Sequence, residues 1–466
     1  MRGLLLLKAH STKEDELEYA SMNLQQSDPK EYVLRTAKDN DVRFIRLWFT
    51  DILGNLKGFA ITVAELEGAL EQGMAFDGSA VEGFARVNES DMIALPDPNT
   101  FSILPWRPTQ NAVARMFCDI TLPDGTPFEG DPRNVLKRAL NSAAGMGYSF
   151  LVGPEMEQFY FKSSDDATPL DNGGYFDLNP LDTASDLRRE TVLTLEQMGI
   201  PVEYSHHEVA SSQHEIDLRH TDALTMADSV MTYRQVVKEV ALRHNVYASF
   251  MPKPLANQNG NGMHVNQSLI KGDVNVFYSP DDPNRLSQTA HQYISGLIRH
   301  APEIAIVCAQ WVNSYKRLVP GFEAPVFSSW AAVNRADLVR VPAYRPGRES
   351  STRVEFRLAD PACNPYLAFS AMLTAGLEGV KNAYPFIPPA EKDLSSLTPQ
   401  ERIEIGAKPL PGSLHEAIEA STGSEVLKKA LGEHTYLSLL ENKHIEWELY
   451  RSAITDYELK RYLPLL

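Results

Sequence analysis

Two acidic residues, Glu155 and Glu157, lie two positions apart within an apolar and aromatic segment at 150–161. The segment is rich in residues that favour β-strands, so both carboxylates are expected to project from one face of a strand. Buried like charges repel each other and lose hydration, and they persist only beside cations. A solvated edge strand is the simpler alternative, but Phe159 and Tyr160 argue against solvent there. The pair therefore predicts a divalent-metal site.

Three other segments offer ligands of the same kind. Glu208 and Glu215 bracket a short turn between two expected strands, His264 follows a Gly/Asn loop, and Glu355 lies in a short charged strand. A single glutamate or histidine at a strand end is more often a surface or hydrogen-bonded structural group. Several carboxylates with one imidazole suit Mg²⁺ or Mn²⁺ better than zinc. Together these residues predict two hard-cation sites.

Basic residues are concentrated in the same region as Glu355: Lys316, Arg317, Arg335, Arg340, Arg353 and Arg357. A solvated charged face is the alternative interpretation. However, metals beside guanidinium groups are what phosphoryl transfer requires, because its barrier is lowered by positioning and charge neutralisation. The sequence contains no Walker-type or dinucleotide-binding glycine loop. We therefore expect metals and arginines to hold any nucleotide.

Composition limits the possible partners. The chain has 466 residues, a net charge of −17 and three cysteines. The acidic balance disfavours nucleic acid and anionic membranes as partners, and three widely separated cysteines indicate reduced thiols. The leucine run near the N-terminus is too short for a signal peptide. A cytoplasmic enzyme acting on small molecules is expected.

The expected elements indicate an α+β fold. Residues 1–26 are polar and acidic, and we expect a disordered extension there. A small α+β domain is expected at 27–128. It should open with a helix at Asp28 and Pro29, and loops are expected at 76–79 and 95–99. Further along the chain, a strand is expected at 350–358. Helices and strands then alternate without a βαβ rhythm, which predicts a mainly antiparallel sheet backed by helices at 129–466.

Several stretches of the chain resemble type I glutamine synthetase, over nearly its whole length from about Val42. The matching stretches are 49–51, 76–79, 153–157, 206–208 with 213–215, 259–264, 313–325, 334–335 and 353–357. The resemblance implies a β-grasp domain at 27–128 and a catalytic domain binding ATP and glutamate at 129–466. It also implies a dodecamer of two stacked hexameric rings, with active sites between neighbouring subunits.

The resemblance implies a role for each matching residue. The first metal site would consist of Glu157, Glu208 and Glu215, and the second of Glu155, His264 and Glu355. Glutamate would be bound by Asn259, Gly260, Arg317, Arg357 and Tyr175, and ATP by Ser268, Arg340 and Arg353. The catalytic residues would be Asp51 from the adjacent subunit, Glu323 on a mobile flap, and Arg335. Ammonium would lose its proton to Asp51, helped by Glu323.

The chain also departs from the family pattern. Asn266 stands where the family usually has histidine, so a neutral amide replaces an imidazole near the phosphates. The stretch at 393–397 has no adenylylation tyrosine. The chain is most similar to an actinobacterial-type branch, some members of which join glutamate to polyamines.

Three functions follow from these observations. The first is a glutamate–ammonia ligase that forms γ-glutamyl phosphate. The second is a ligase for a polyamine or another primary amine, and the third is a catalytically weakened structural or regulatory homologue, supported only by Asn266. Phe322 precedes the flap glutamate and should narrow the entrance, and Trp330 on the same loop is expected to add bulk. Both residues favour ammonium as the nucleophile.

Overall fold

The computed structural model describes residues 28–81, 83, 91–332, 336–390, 394–404 and 406–466. The extension expected at 1–26 lies outside the described residues. The chain divides into two compact units. Unit 1 contains 28–48, 58–74 and 94–118 of the described residues, and unit 2 contains the remainder.

The first sheet has six strands in the order β2-β1-β6-β4-β3, with β5 beside β6. The strands are β1 (Val42–Thr50), β2 (Leu56–Thr62), β3 (Met74–Asp77), β4 (Asp91–Pro96), β5 (Ser102–Ile103) and β6 (Ala112–Thr121). The helices are α1 (Pro29–Asp39) and α2 (Leu66–Gln72), with 3₁₀ turns at Val63–Glu65 and Pro98–Thr100. Helix α1 begins where expected, because Asp28 accepts a hydrogen bond from the Lys30 amide and Pro29 fits the first turn.

Two strands of this sheet, β3 and β4, include segments that the sequence predicts as loops, at 76–79 and 95–99. These loop predictions were wrong for 76–77 and 95–96, which are the last residues of β3 and β4. Glycine and proline directly follow or end both strands, and they terminate strands as readily as they mark loops. The side chains of β4 alternate in burial, but its sequence is continuously apolar at 92–95 and shows no such alternation.

The second sheet lies in unit 2 and has ten strands, with the main order β15-β16-β17-β12-β7-β9-β8. Its strands are β7 (Ser149–Phe161), β8 (Val202–His207), β9 (Gln213–Leu218), β10 (Thr221–Asp222), β11 (Tyr247–Ser249), β12 (Met263–Lys271), β13 (Val274–Asn275), β15 (Trp330–Ala331), β16 (Val339–Arg340) and β17 (Val354–Phe356). Every pairing is antiparallel except β15 with β16. A separate antiparallel pair joins β14 (Phe327–Ser328) to β18 (Lys408–Pro409). The predicted antiparallel sheet and the α+β class are confirmed.

Helices accompany this sheet through the rest of unit 2. They are α3 (Pro132–Gly145), α4 (Ser185–Gln197), α5 (Ala223–Arg243), α6 (Gln288–Cys308), α7 (Ser314–Arg317), α8 (Pro365–Lys381), α9 (Pro399–Glu404), α10 (Leu414–Ser421), α11 (Glu425–Leu431), α12 (Glu433–Ser452) and α13 (Asp456–Tyr462), with 3₁₀ turns at Glu349–Ser351 and Leu394–Ser396. Helices α6 and α8 pack closely, because a side chain at Gly379 would come within 2.0 Å of the Gln292 carbonyl oxygen. No described helix is long and apolar enough to cross a membrane.

A buried ionic network connects three of these helices. Arg133 on α3 donates hydrogen bonds to both carboxylate oxygens of Asp228 on α5, at 3.2 and 3.0 Å. The hydroxyl of Tyr366 on α8 donates to Asp228 at 2.5 Å. Arg133 also pairs with Asp119 at 2.7 Å. Because Asp228, Arg133 and Tyr366 are all buried, losing one partner would leave a charge without water or a counterion.

We expect Asp228→Ala to lower the free energy of unfolding by about 3–5 kcal/mol, the usual cost of breaking a buried ion pair. Urea or thermal unfolding followed by circular dichroism measures this change. The control is Asp456→Ala, because Asp456 and Lys460 form an exposed pair. An Asp228→Ala transition that coincides with that of the control would contradict the assignment.

Candidate active site

Strand β7 positions the acidic residues through its register with both neighbouring strands. Glu157 lies directly opposite Glu215 on β9, and Glu155 lies opposite Asp217. On the other side, Glu155 lies opposite His264 on β12. Directly opposed like charges destabilise a sheet, so this pairing needs compensation from outside the strands.

These residues line a cavity of about 200 Å³ in unit 2. The residues predicted from the sequence that line it are Glu155, Glu157, Tyr175, Glu208, Glu215, Asn259, Gly260, His264, Arg317, Phe322, Glu323, Arg340 and Arg357. They come from several segments of the chain, and the first and last of these segments lie more than a hundred positions apart in the sequence. The structure thus brings most of the predicted site together.

Two groups of metal-ligating side chains are compact enough to hold an ion, each with its donor atoms within 4.8 Å of one another. One consists of Glu155, His264 and Glu355, and the other of His206, Glu208 and Glu215. In the first, His264 Nδ1 lies 3.2 Å from Glu155 Oε2. In the second, His206 Nε2 lies 2.9 Å from Glu208 Oε1 and 4.0 Å from Glu215 Oε2.

Glu157 lies outside both groups. Its Oε2 accepts hydrogen bonds from Gln213 Nε2 at 2.8 Å and from the Gly262 amide at 2.9 Å. Its Oε1 lies 3.8 Å from His264 Nδ1. The Glu157 carboxylate therefore lies between the two groups, oriented by donors on β9 and on the loop before β12.

Burial changes the protonation of the acidic residues. Burial and the nearby Glu208 carboxylate raise the pKa of Glu157 well above its usual range. Burial, followed by the Asp217 carboxyl, raises the pKa of Glu215 in the same way. Both shifts arise first from burial and then from neighbouring carboxylates, and bound cations would favour the ionised forms. The donor set of carboxylates and one imidazole therefore fits hard divalent cations.

His264 is suited to act as a neutral ligand. Burial and the neighbouring Arg357 guanidinium lower the pKa of His264 well below its usual range. An uncharged imidazole offers a lone pair, which an imidazolium does not.

Arginines surround Glu355. Arg340 Nε donates to Glu355 Oε2 at 2.6 Å, and Arg357 Nη1 forms a short hydrogen bond to Glu355 Oε1. Strand β17 is shorter than expected, so Arg353 and Arg357 lie immediately outside it. The predicted residue Arg335 lies outside the described residues.

The Arg317 guanidinium donates most of its hydrogen bonds to backbone carbonyl groups. Its Nη1 donates to the carbonyls of Leu358 and Ala359 at 3.0 and 3.2 Å, and its Nη2 donates to the Arg357 carbonyl at 3.0 Å. Two of its five N–H groups remain for a ligand. Arg317 therefore fixes the segment after β17 as well as lining the cavity.

A second cavity of about 390 Å³ adjoins Glu155 and includes Ser268, Arg353 and Asn266. Asn266 Nδ2 donates to Glu155 Oε1 at 3.0 Å, and Asn266 Oδ1 accepts from Arg353 Nε at 2.9 Å. The amide that replaces the expected histidine thus connects a candidate metal ligand to an arginine of the second cavity.

Asp51 is buried in the turn after β1 and is not among the described residues that line the first cavity. Its Oδ1 accepts from the amides of Leu53 and Asn55 at 3.0 and 2.8 Å. The Asn364 side chain donates to the Asp51 carbonyl at 3.0 Å. Asp51 is thus fixed by hydrogen bonds in its turn and does not line the first cavity of its own chain.

Trp330 does not add bulk near the cavity entrance, so that expectation was wrong. Its side chain is fully buried, and its Nε1 donates to the Ile387 carbonyl at 2.7 Å. Placing it in β15 turns it towards His291 and Phe386 instead.

A third cluster, Asp171, His207 and His214, also has ligand-type atoms within 4.8 Å of one another. Its charges are already balanced. His207 places Nδ1 2.7 Å from the Glu208 carbonyl oxygen and Nε2 3.1 Å from Asp171 Oδ1. Two oxygen acceptors require a protonated imidazole. Burial lowers the pKa of His207, but the hydrogen bonds to Asp171 and to the Glu208 carbonyl, together with nearby carboxylate charge, raise it further than burial lowers it. The Arg188 guanidinium lies 2.6 Å from His214 Nδ1. This cluster supports the Glu208 backbone without a metal.

Sequence reasoning missed three contributors to the site: His206, Gln213 and Asp217. His206 and Gln213 fall within stretches that match the family, but neither received a role. The signal available for His206 was its position two residues before Glu208. Asp217 follows Glu215 by two positions, so it shares a strand face with it. That alternation repeats the pattern of Glu155 and Glu157.

Comparison with known families matches nearly the whole chain. Residues 41–123 match the model described as "Glutamine synthetase, beta-Grasp domain", and residues 129–462 match "Glutamine synthetase, catalytic domain".

Curated relatives and solved structures agree. Glutamine synthetase of Mycolicibacterium smegmatis is 55% identical over 442 residues, covering 94% of this chain and 99% of the relative. Glutamine synthetase of Methanosarcina mazei is 52% identical over 449 residues, covering 96% and 100%. A solved GmaS/ADP complex has a TM-score of 0.85 at 31% identity, covering 93% of this chain and 99% of that chain. Plasmodium falciparum glutamine synthetase has a TM-score of 0.84 at 26% identity, covering 94% and 99%.

Glu157→Gln tests the interpretation of the acidic cluster. Without metal, the variant should unfold at a higher temperature than the wild type, because an amide removes one uncompensated buried charge. Adding Mg²⁺ or Mn²⁺ should stabilise the wild type by about 2.7 kcal/mol at one hundred times Kd, and the variant by much less. Differential scanning calorimetry with and without chelator measures both effects. The control is Glu196→Gln on the exposed face of α4. If metal stabilised Glu157→Gln as much as it stabilises the wild type, the interpretation would be refuted.

Proposed function

Because the chain belongs to the glutamine synthetase family and is an ATP-dependent glutamate–ammonia ligase, we propose how its described residues divide the reaction. The observation that carries the proposal is the convergence of carboxylates, His264 and guanidinium groups on one cavity. The polyamine-ligase and weakened-homologue alternatives are not favoured by relatives at 46–55% identity.

Divalent metal and ATP are implied by the family. We assign one cation, Mg²⁺ or Mn²⁺, to Glu157, Glu208 and Glu215, with His206 adjacent, and a second to Glu155, His264 and Glu355. When bound, these cations neutralise the phosphates and polarise the reacting carboxylate.

The first cavity binds glutamate in this proposal. Asn259, Gly260 and Tyr175 line it, and Arg357 presents an Nε that is buried without a hydrogen-bond partner among the described residues. Together with the remaining N–H groups of Arg317, these donors would orient the amino-acid end of the substrate. The γ-carboxylate would then face the acidic cluster.

The second cavity binds ATP in this proposal. Ser268 and Arg353 line it, and Arg340 lies at the adjoining first cavity. The related GmaS structure holds ADP, which supports a nucleotide here. Transfer of the γ-phosphoryl group to the glutamate γ-carboxylate gives γ-glutamyl phosphate and ADP. We assign Arg335 to charge neutralisation in this step as well.

Amide formation completes the reaction. Asp51 of a neighbouring subunit and Glu323 take a proton from ammonium, ammonia attacks the acyl carbon, and phosphate leaves. This assignment requires an oligomer, for which we propose two stacked hexameric rings. The absence of Asp51 from the described lining of the first cavity in its own chain supports the assignment.

Mixing two inactive variants tests the shared site. Asp51→Asn removes the proton acceptor and keeps its amide contacts, and Glu355→Gln removes a metal ligand; we expect each to lose about 10²-fold or more in kcat. Co-expressed, they should form hybrid oligomers with about a quarter of the wild-type rate, the fraction of interfaces that unite two intact halves. The readout is glutamine formed per protomer.

The control for this experiment mixes the two variants after separate assembly, which should restore nothing. If Asp51 acted in the site of its own chain, every subunit of a co-expressed hybrid would lack one essential residue. Hybrids as inactive as the two parent variants would therefore refute the shared site. Full activity of Glu355→Gln would refute the metal assignment.

The nucleophile is tested with an amine panel. Phe322 lines the cavity beside Glu323, and its ring leaves little room for the tail of a longer amine. We expect kcat/KM for ammonium to exceed that for putrescine, spermidine and ethanolamine by at least about 10²-fold. The reason is that a carbon chain for which the cavity has no room weakens binding of the transition state by several kcal/mol. ADP release with saturating glutamate and ATP measures this. Preference for a longer amine would contradict the proposal, and Phe322→Gly should narrow the difference.

A further inference from the structure

The flap that carries Glu323 has a strained backbone. Gly321 has φ +91° and Glu323 has φ +52°. A positive φ is uncommon for a residue with a side chain and strains the backbone, so it persists only where the surroundings impose it. Contacts on either side of Glu323 must therefore hold the flap in this conformation.

One of these contacts joins Phe322 to Lys253. The Lys253 Nζ lies 3.6 Å from the centroid of the Phe322 ring. This is the shortest distance among the described cation–π contacts. Lys253 is 7% exposed, and desolvation strengthens the attraction between an ammonium group and an aromatic ring.

Lys253 is itself fixed to the substrate-binding segments. Its Nζ donates a short hydrogen bond to the Gln258 carbonyl, directly before Asn259 and Gly260. Its backbone is held by Asn313, whose Oδ1 accepts from the Lys253 amide at 2.7 Å and whose Nδ2 donates to the Lys253 carbonyl at 3.1 Å. Lys253 therefore connects the flap to the loop that lines the glutamate cavity.

The opposite side of the flap is held more weakly. Arg357 Nη2 lies 3.5 Å from the Glu323 carbonyl oxygen, at the limit of a hydrogen bond. The cation–π contact is therefore the stronger described restraint on the segment that carries Glu323.

We propose that Lys253 is a positioning residue that latches the flap through the Phe322 ring, so that γ-glutamyl phosphate reacts with ammonia and not with water. This inference rests on the proposed function, because it requires the acyl phosphate. In an open site, water attacks the acyl carbon, phosphate leaves, and glutamate is regenerated. The net result is ATP hydrolysis without glutamine.

The quantity that reports the latch is coupling, the glutamine formed per ADP released. Lys253→Met retains most of the side-chain stem and removes the charge, and Phe322→Leu removes the ring. Each substitution should lower the ratio of closed to open flap conformations by about two- to thirty-fold. Coupling should then fall, and ADP release with glutamate but without ammonium should rise. General damage to the fold would lower the rate and leave coupling unchanged.

Conservative and double variants make the test specific. Phe322→Tyr and Lys253→Arg keep a ring and a cation, so they should retain coupling. The Lys253→Met/Phe322→Leu double variant should be no less coupled than Lys253→Met alone, because Lys253→Met already removes the contact with the Phe322 ring. The matched control is Lys238→Met, which removes a cation 5.8 Å from the Phe250 ring, outside the cavity lining.

The outcomes separate this inference from the function on which it rests. A wild-type enzyme that forms no glutamine from glutamate, ammonium and ATP would refute the proposed function. A coupled wild type with equally coupled Lys253→Met and Phe322→Leu variants would refute only the latch. Additive losses of coupling in the double variant would also overturn it.

Discussion

The opposition of carboxylates across paired strands is the constraint on which the site depends. Glu157 faces Glu215, and Glu155 faces Asp217, within a buried sheet. Such pairs are unfavourable by themselves, and burial raises the pKa of Asp217 to about 6. The same register that creates this repulsion also brings several carboxylate oxygens to one cavity. A register shift of one residue would turn them to the opposite face.

The surrounding protein limits how far the negative charge can be relieved without metal. Arg340 and Arg357 both contact Glu355, while Gln213 and the Gly262 amide orient Glu157. Guanidinium and amide donors fix the carboxylates in place, but Glu157 and Glu215 retain raised pKa values. The site is thus preorganised and incompletely neutralised. That condition favours divalent cations and an anionic, phosphorylated substrate together.

Asn266 shows how a departure from the family pattern can be accommodated. An amide has a donor and an acceptor in fixed relation. Here the donor contacts Glu155 and the acceptor contacts Arg353. The substitution keeps a physical connection between the candidate metal ligand and the second cavity, although it cannot carry a positive charge. The amide therefore has a structural role of its own, and its presence is no argument for an inactive site.

The sequence by itself determined that Glu155 and Glu157 share a strand face, because alternation in a strand is a local property. It also determined the antiparallel catalytic sheet and the family, because the matching stretches are long and ordered. Only the tertiary structure decided that Asp217 lies opposite Glu155, that Arg317 binds backbone carbonyls, that Trp330 points away from the cavity, and that Lys253 meets Phe322. These contacts join positions about 40 to 70 residues apart in the sequence. They depend on the register of the paired strands and on the path of the loops. Alternation within a strand assigns a residue to one face of that strand, but it does not identify the residue that lies opposite on a strand distant in the sequence.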